Sequence, residues 1–274
     1  GGEVLARPAA VSEASPDRTA LVLSGGGARG AYQVGVLRYV ARRRPRTRFP
    51  ILTGVSAGAI NASFLAASHD FFDTTVDRLA ERWLSLSTDS VFRTDVPSMA
   101  SNALRVLTNL VSGGSPLAPR VKGLVETEPL RRFLEGLIDP DAVADNVATG
   151  RLRALAVSAT AYDTGRTLTY VQGEPWLPTW ERVRRRSVHD RITLDHVMAS
   201  AAIPLFFPAV RVGGRYFGDG SLRQSHPLSP AIHLGADRIL AISSRWQAPV
   251  PEPAEIEPPE YPLSLIHISE PTRP

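Results

Sequence analysis

The sequence predicts an α/β fold built on a parallel sheet with crossover helices, and three observations predict it. A short apolar run, Thr19 to Ser24 (T-A-L-V-L-S), is bounded by three glycines and reads as a buried strand. From Ala31 to Arg43, Val34, Leu37, Val40 and Ala41 recur at helical spacing. A second apolar run, Ile51 to Thr53, meets the turn Gly54 to Gly58 and then a helix of small residues from Ala59 to about Ser68. Strand, glycine loop, helix, strand, sharp turn, helix is the order that parallel strands demand, because only a long crossover returns the chain to the starting end of the sheet.

The remaining elements follow in order. An amphipathic helix is expected from Asp70 to Trp83. The pattern weakens from Ser85 to Glu128, where Met99 to Val111 has helical spacing and Ser112 to Pro119 is a Gly, Ser and Pro loop of the kind that covers active sites. Pro129 to Ile138 reads as a helix with proline in its first turn. Leu152 to Ala161 is a central strand, Thr164-Gly165 a turn, and Arg166 to Val171 the returning partner. Leu194 to Ala202 is a helix stopped by Pro204. Gly213-Gly214 turns a strand pair within Val210 to Tyr216, and Arg238 to Ser243 is one more buried strand. There is no internal repeat.

With 274 residues, 43% of them hydrophobic, the chain has ample material for a core. Four segments are expected: a flexible lead-in at 1–18, a folded domain at 19–247, a Pro/Glu-rich linker at 248–262 with six prolines and four glutamates, and a tail at 263–274. That tail, L-S-L-I-H-I-S-E-P-T-R-P, resembles a translated sequencing adapter and is read as non-native. Cysteine is absent, which excludes disulfides, thiolate metal sites and a cysteine nucleophile. The longest uncharged stretch, Phe49 to His69, is broken by Pro50, Gly54, Gly58 and Asn61, so it reads as strand, turn and helix and not as a membrane span. The expected location is the cytoplasm or a membrane surface; secretion stays open, since no Met starts the chain.

The net charge of +4 conceals a more basic body. Residues 248–274 hold five acids and one base, leaving 30 bases against 22 acids elsewhere, and Lys122 is the lone lysine among the 31 basic residues. Arg38, Arg42, Arg43, Arg44, Arg46 and Arg48 end the first helix and fill the loop beyond. A solvated helix end with favourable dipole placement is the plainer reading, and contact with anionic lipid head groups the functional one. Nucleic acid is not expected, since the cluster lacks interleaved aromatics.

Three strings carry chemistry. Gly25 to Gly30 (G-G-G-A-R-G) follows a strand and opens a helix, so its backbone N–H groups can converge on an anion. It also satisfies the dinucleotide pattern G-x-G-x-x-G, which leaves a nucleotide-binding module as the alternative of another class. That pattern expects a carboxylate at the end of the second strand, and Thr53-Gly54 offers none. Gly54-Val55-Ser56-Ala57-Gly58 is a G-x-S-x-G elbow, in which Gly54 and Gly58 leave room for a turn sharp enough to expose the Ser56 hydroxyl. Tyr216 to Ser221 (Y-F-G-D-G-S) places Asp219 between two glycines at a strand end. An Asp-Gly hairpin turn explains it alone, but a buried aspartate beside a serine can also act as general base without histidine.

In that order, G-G-G-A-R-G, G-V-S-A-G and D-G-S, with A-S-A-A-I-P-L-F-F-P at 199–208 and G-A-D-R-I-L-A-I at 235–242, resemble the patatin-like phospholipase family over Thr19 to Ser244. The resemblance implies a three-layer α/β/α fold with a mostly parallel central sheet. It also implies a serine lipid acyl hydrolase of phospholipase A or lysophospholipase type, needing no cofactor or metal and acting on a lipid or acyl-ester substrate. Ser56 would be the nucleophile and Asp219 the base. The N–H groups of the loop Gly25, Gly26, Gly27, Ala28, Arg29 and Gly30 would form the oxyanion hole. Gly220 and Ser221 complete the base motif, where the family more often has Gly or Ala in place of Ser221. His226-Pro227 stands where an Asn-Pro pair is common, which leaves a Ser-Asp-His triad open. A general carboxylesterase on soluble or neutral-lipid esters is the nearer alternative.

Leu104, Leu107, Leu110 and Val111 form an apolar stripe, read as core before interfacial lid. Trp83, Trp176, Trp180 and Trp246 are read as packing residues. Met198 and Phe206-Phe207 are divided evenly between acyl pocket and core.

Overall fold

The computed structural model describes residues 18–87, 127–204, 206–222 and 228–243. Most of the lead-in, the linker, the tail, the Leu104 to Val111 stripe, Trp246 and His226 lie outside them. The described chain runs β1 (Thr19–Leu23), α1 (Gly30–Arg43), β2 (Ile51–Val55), α2 (Ala57–Ala67), α3 (Phe72–Leu84), then α4 (Glu128–Glu135), α5 (Pro140–Ala148), β3 (Ala154–Ala161), β4 (Thr167–Gly173). It continues through β5 (Glu181–Arg182), β6 (Arg185–His189), α6 (Leu194–Ala201), β7 (Val210–Val212), β8 (Arg215–Asp219), α7 (Leu228–His233) and β9 (Arg238–Ile242). Among the described residues no helix is long and apolar enough to cross a membrane.

One sheet organises these elements, in the order β5-β6-β4-β3-β2-β1-β9, with β8 on β3 and β7 on β8. Its run β9-β1-β2-β3 is parallel and β4 returns antiparallel. Strands alternate their side chains between two faces. Leu21 and Leu23 of β1 enter one core, with Leu52, Leu155 and Val157, against α1 to α6. Ala20 and Val22 enter a second, thinner core with Ile51, Ala154 and Ala156, closed by Leu177, Trp180, Ala231 and Leu234. Each fully buried leucine contributes about 1.5–3 kcal/mol.

α2 is buried on nearly every side, as expected of a helix without a polar face. α6 begins on a capping box in which Thr193 and His196 satisfy each other's orphan donors. α5 starts at Asp139, whose carboxylate accepts from the Asp141 N–H at 2.9 Å, with Pro140 in its first turn.

Two expectations need correcting. β9 is not buried: among the described residues it forms a sheet edge, and Arg238, Ile239 and Ala241 are exposed while Ile242 reaches the core. β2 runs two residues further than Thr53 and α2 starts two residues earlier than Ala59, because Ser56 alone makes the turn between them.

The register explains the placement of the site. Along one edge of β3, Ile51 to Val55 pair with Ala154 to Ser158, and the next residue, Ala159, pairs with Asp219. β2 runs parallel to β3 and β8 antiparallel, so two strands arrive from opposite directions and end against each other. Ser56 and Asp219 stand at that junction.

Candidate active site

Ser56 has φ 55° and ψ −129°, the one non-glycine residue with positive φ among those described. Such backbone costs about 1–3 kcal/mol and persists only where its surroundings enforce it. The enforcement is visible. A Cβ on Gly58 would lie 2.3 Å from the Leu23 carbonyl oxygen, and one on Gly54 would lie 2.3 Å from that of Gly58, so the elbow is wedged against the end of β1. The Ser56 N–H donates to Ser200 Oγ at 2.9 Å, and Ser200 Oγ donates to the Ser158 carbonyl at 2.6 Å, which ties the elbow to α6 and β3.

The Ser56 hydroxyl donates to Asp219 Oδ2 at 2.7 Å, with both side chains buried. Asp219 Oδ1 accepts the Ser221 N–H at 2.7 Å. The Asp219 backbone is held on both sides, its carbonyl by Thr160 Oγ1 at 3.0 Å and its N–H by the Ala202 carbonyl at 2.8 Å. A carboxylate anchored through one oxygen and the backbone presents the other to the serine in a fixed direction. Among the described residues no histidine bonds to either member. His69 meets Arg151, His189 the Leu177 carbonyl, His196 its own helix cap, and His233 stacks on Trp180.

The glycine loop closes the third side. A Cβ on Gly25 would meet Ser221 Cβ at 2.8 Å and Ser56 Cβ at 3.2 Å, which places the loop directly on the pair. Gly27 takes φ +55°, as a turn of this kind requires. The Arg29 N–H bonds to the Gly26 carbonyl, and the Gly30 N–H to those of Gly27 and Ala28. The N–H groups of Gly26, Gly27 and Ala28 have no partner among the described residues.

Behind the loop lies a buried polar chain that the sequence reading does not single out. Trp83 Nε1 donates to Asn61 Oδ1 at 2.8 Å. Asn61 Nδ2 donates to Gln33 Oε1 at 3.0 Å and to the Gly30 carbonyl at 3.1 Å. Gln33 Nε2 donates to the Ser24 carbonyl at 2.6 Å. Three helices thereby hold the residue that precedes the loop and the residue that ends it. Its sequence signal is two carboxamides on otherwise apolar helix faces; for Ser200 it is a hydroxyl inside an alanine-rich helix.

Other expected residues are less central. Arg38 pairs with Asp77 at 2.8 Å, Arg43 lies over the Tyr39 ring, and Arg46 and Arg48 line a cavity of about 720 Å³ with His69 and Arg151. That loop leads into the start of β2, the end opposite Ser56, so a membrane held there would not face the pair. Met198 and Phe207 join the main core, whereas Phe206 is exposed. Trp83 and Trp180 pack as expected; Trp176 does not, being 70% exposed on the loop after β4.

A family model described as patatin-like phospholipase matches residues 21–232. Among solved structures the chain is similar to VipD from Legionella pneumophila, at 18% identity and a TM-score of 0.41 over 84% of this chain and 50% of that one. It is also similar to the heterodimeric ExoU–SpcU complex from the type III secretion system of Pseudomonas aeruginosa, at 20% identity and a TM-score of 0.28 over 57% of this chain and 32% of that one. The chain thus spans half the length of the first and about a third of the second. No curated protein matches it.

Proposed function

The chain belongs to the patatin-like phospholipase family, and from that premise we propose that it is a serine lipid acyl hydrolase working through a Ser56–Asp219 dyad. The observation that carries the proposal is the 2.7 Å bond from the strained Ser56 hydroxyl to the buried Asp219 carboxylate. A hydroxyl held on a carboxylate by an over-constrained turn has its attack direction set before substrate arrives.

In the proposed cycle Asp219 accepts the Ser56 proton as Oγ attacks the ester carbonyl. The negative charge on the carbonyl oxygen is stabilised by the free N–H groups of Gly26, Gly27 and Ala28 and by the N-terminal end of α2. Collapse expels the alcohol, which takes the proton from Asp219, and leaves an acyl-Ser56. Water then attacks this ester with Asp219 again as base, releasing the fatty acid and restoring the hydroxyl. Arg29 and Gly30, whose N–H groups are engaged within the turn, support the loop and do not donate to the oxyanion.

The test uses Ser56→Ala and Asp219→Asn, each checked for folding by circular dichroism, against a short-chain p-nitrophenyl ester and a phosphatidylglycerol. Both variants are expected to lose at least about 10³ in kcat. Parent-like hydrolysis by either folded variant refutes the dyad. Comparable kcat/KM on both substrates in the parent favours a general esterase over a phospholipase.

A further inference from the structure

The two elements that flank Ser56 have their far ends at one cavity. β2 contributes Leu52 near its start, α2 contributes Leu65 and Ala66 near its end, and the enclosed volume is about 720 Å³. We propose that this cavity, at the end of the sheet away from the dyad, is a binding site for a single-chain anionic amphiphile. The alkyl chain lies against Phe49, Leu65, Phe71 and Phe72, and the carboxylate or phosphate head is held by Arg48 and Arg151. The site stands independently of the hydrolase reading; under that reading a free fatty acid, the acid released, is one such ligand.

The apolar part belongs to the fold. Leu52, Ala66 and Leu152 are buried members of the main core, and Phe49, Leu65 and Phe72 pack on it while keeping part of their surface open. Phe49 and Phe72 meet edge to face, with ring centroids 5.4 Å apart. Phe71 lines the same cavity and is 66% exposed. A bound chain would take this continuous apolar wall out of water, at about 25 cal/mol for each Å² covered. A volume of about 720 Å³ falls within the ordinary range for small-ligand sites.

The head-group end follows from the strand register. Ile51 pairs with Ala154, so Arg48 and Arg151 stand at equivalent positions ahead of adjacent parallel strands. The Pro50 carbonyl fastens the two approaches together, accepting the Arg153 N–H at 2.7 Å and the Ala154 N–H at 3.1 Å. Among the described residues the Arg46 and Arg48 side chains have no partner, and Arg151 reaches only the ring and carbonyl of His69, at 3.4 and 3.5 Å. Asp70, the one carboxylate lining the cavity among those residues, is held by Arg78 at 2.5 Å. Guanidinium groups without a carboxylate to answer them present donor forks that suit carboxylate or phosphate oxygens. The C-terminal end of α2 would oppose an anion, but buried Asn146 occupies that end, its Nδ2 donating to the Ala66 and Ser68 carbonyls at 2.8 and 2.9 Å.

Calorimetry of the full chain with decanoate, decyl phosphate, acetate and decanol, the amphiphiles kept below their micellar concentrations, tests the site, and amide hydrogen exchange locates the bound molecule. At least one long-chain anion is expected to bind about tenfold or more tighter than acetate or decanol, with protection centred on residues 65–75 and 146–154. In R48Q/R151Q, where both arginines are exposed and neither holds a carboxylate, that binding is expected to weaken about tenfold or more. The variant should keep the parent melting temperature and the parent kcat on p-nitrophenyl butyrate. Unchanged binding by the variant overturns the site. So does acetate binding as tightly as decanoate, which marks a charge patch alone, or decanol binding as tightly, which marks an apolar cleft alone. Protection confined to residues 25–30 and 54–58 overturns it too, since the molecule then sits at the dyad. Binding of decanoate and not decyl phosphate upholds the site with a carboxylate head, and the converse upholds it with a phosphate head. A parent that is protected at the cavity yet hydrolyses neither p-nitrophenyl butyrate nor phosphatidylglycerol sinks the hydrolase reading and leaves the site standing; one that hydrolyses them without protection at the cavity does the reverse.

Discussion

Substituting alanine for glycine at two positions, Gly58 and Gly35, should give opposite results. At Gly58 the added Cβ would stand 2.3 Å from the Leu23 carbonyl oxygen and 2.6 Å from that of Ser24. Ordinary contact needs about 1 Å more. Neither side yields easily: the Ser24 carbonyl is gripped by Gln33 and its N–H by the Ile242 carbonyl, while Gly54 sits against the Gly58 carbonyl. The elbow and the glycine loop must therefore part by a substantial fraction of that ångström. Overpacking of this kind costs about 2 kcal/mol, or roughly 4–8 °C of melting temperature in a domain this size. A displacement of about 1 Å between nucleophile and oxyanion donors costs on the order of 10² in rate.

Gly35 lies exposed inside α1 with nothing within 4 Å of an added Cβ. There alanine removes backbone freedom from the unfolded chain and should stabilise by up to about 1 kcal/mol with kcat unchanged. Thermal melting and kcat on p-nitrophenyl butyrate measure both variants. A Gly58→Ala protein within threefold of the parent kcat, at the parent melting temperature, would refute the claim that the elbow is wedged against β1.

Asn61→Leu strands the Trp83 N–H, Gln33 Oε1 and the Gly30 carbonyl, and unsatisfied buried groups cost about 1–3 kcal/mol each before relaxation. Its melting temperature should fall, with kcat dropping more than KM rises; a fall in stability with kcat intact would show that the network does not position the loop. Ser200→Ala removes the acceptor of the Ser56 N–H and should lower kcat about tenfold while Ser200→Thr, which keeps the hydroxyl, retains more; equal rates for the two would argue against that anchor. Stability should also depend on pH in a defined direction. Burial holds the His196 imidazole below its usual 6.5 despite Asp190 and Asp195, and burial then Arg182 do the same for His233. With depressed values in the fold, the unfolded chain protonates first, so stability is full above about 6.5 and declines as pH falls toward the folded values. His196→Gln, whose carboxamide can still accept the Thr193 N–H, should flatten the decline in melting temperature; a slope identical to the parent's would exclude His196 as its source.

The parts of the fold legible in sequence are those whose environment is uniform. β1 and β2 are covered on both faces, so T-A-L-V-L and I-L-T announce themselves as strands. β5 and β6 do not: E-R and R-R-S-V-H contain one apolar residue and become strands because β4 offers an open row of backbone groups. R-I-L-A-I misleads in the other direction, since its apolar residues occupy an edge strand. α5 carried a start signal in Asp139-Pro140 that its short, mixed face obscured.

Each of the three strings is weak alone, and the structure gives the reason they are specific together. They are three sides of one contact. Gly25 of the first is pressed on Ser56 of the second and Ser221 of the third; Gly58 of the second is pressed on Leu23, which leads into the first. Gly220 of the third is pressed on Ser158 and on Val55 of the second, so that a Cβ there would lie 2.1 Å from the Ser158 carbonyl oxygen. Gly25 and Gly220 each remove a side chain that would collide with another string, and Gly58 removes one that would collide with the strand end leading into the first. A chance G-x-S-x-G carries no such obligation to glycines elsewhere in the chain. Their co-occurrence in this order is therefore a packing condition for bringing Ser56, Asp219 and the loop amides together, which is why this juxtaposition was legible in sequence while Gln33, Asn61 and Ser200, which hold the same residues through hydrogen bonds, were not.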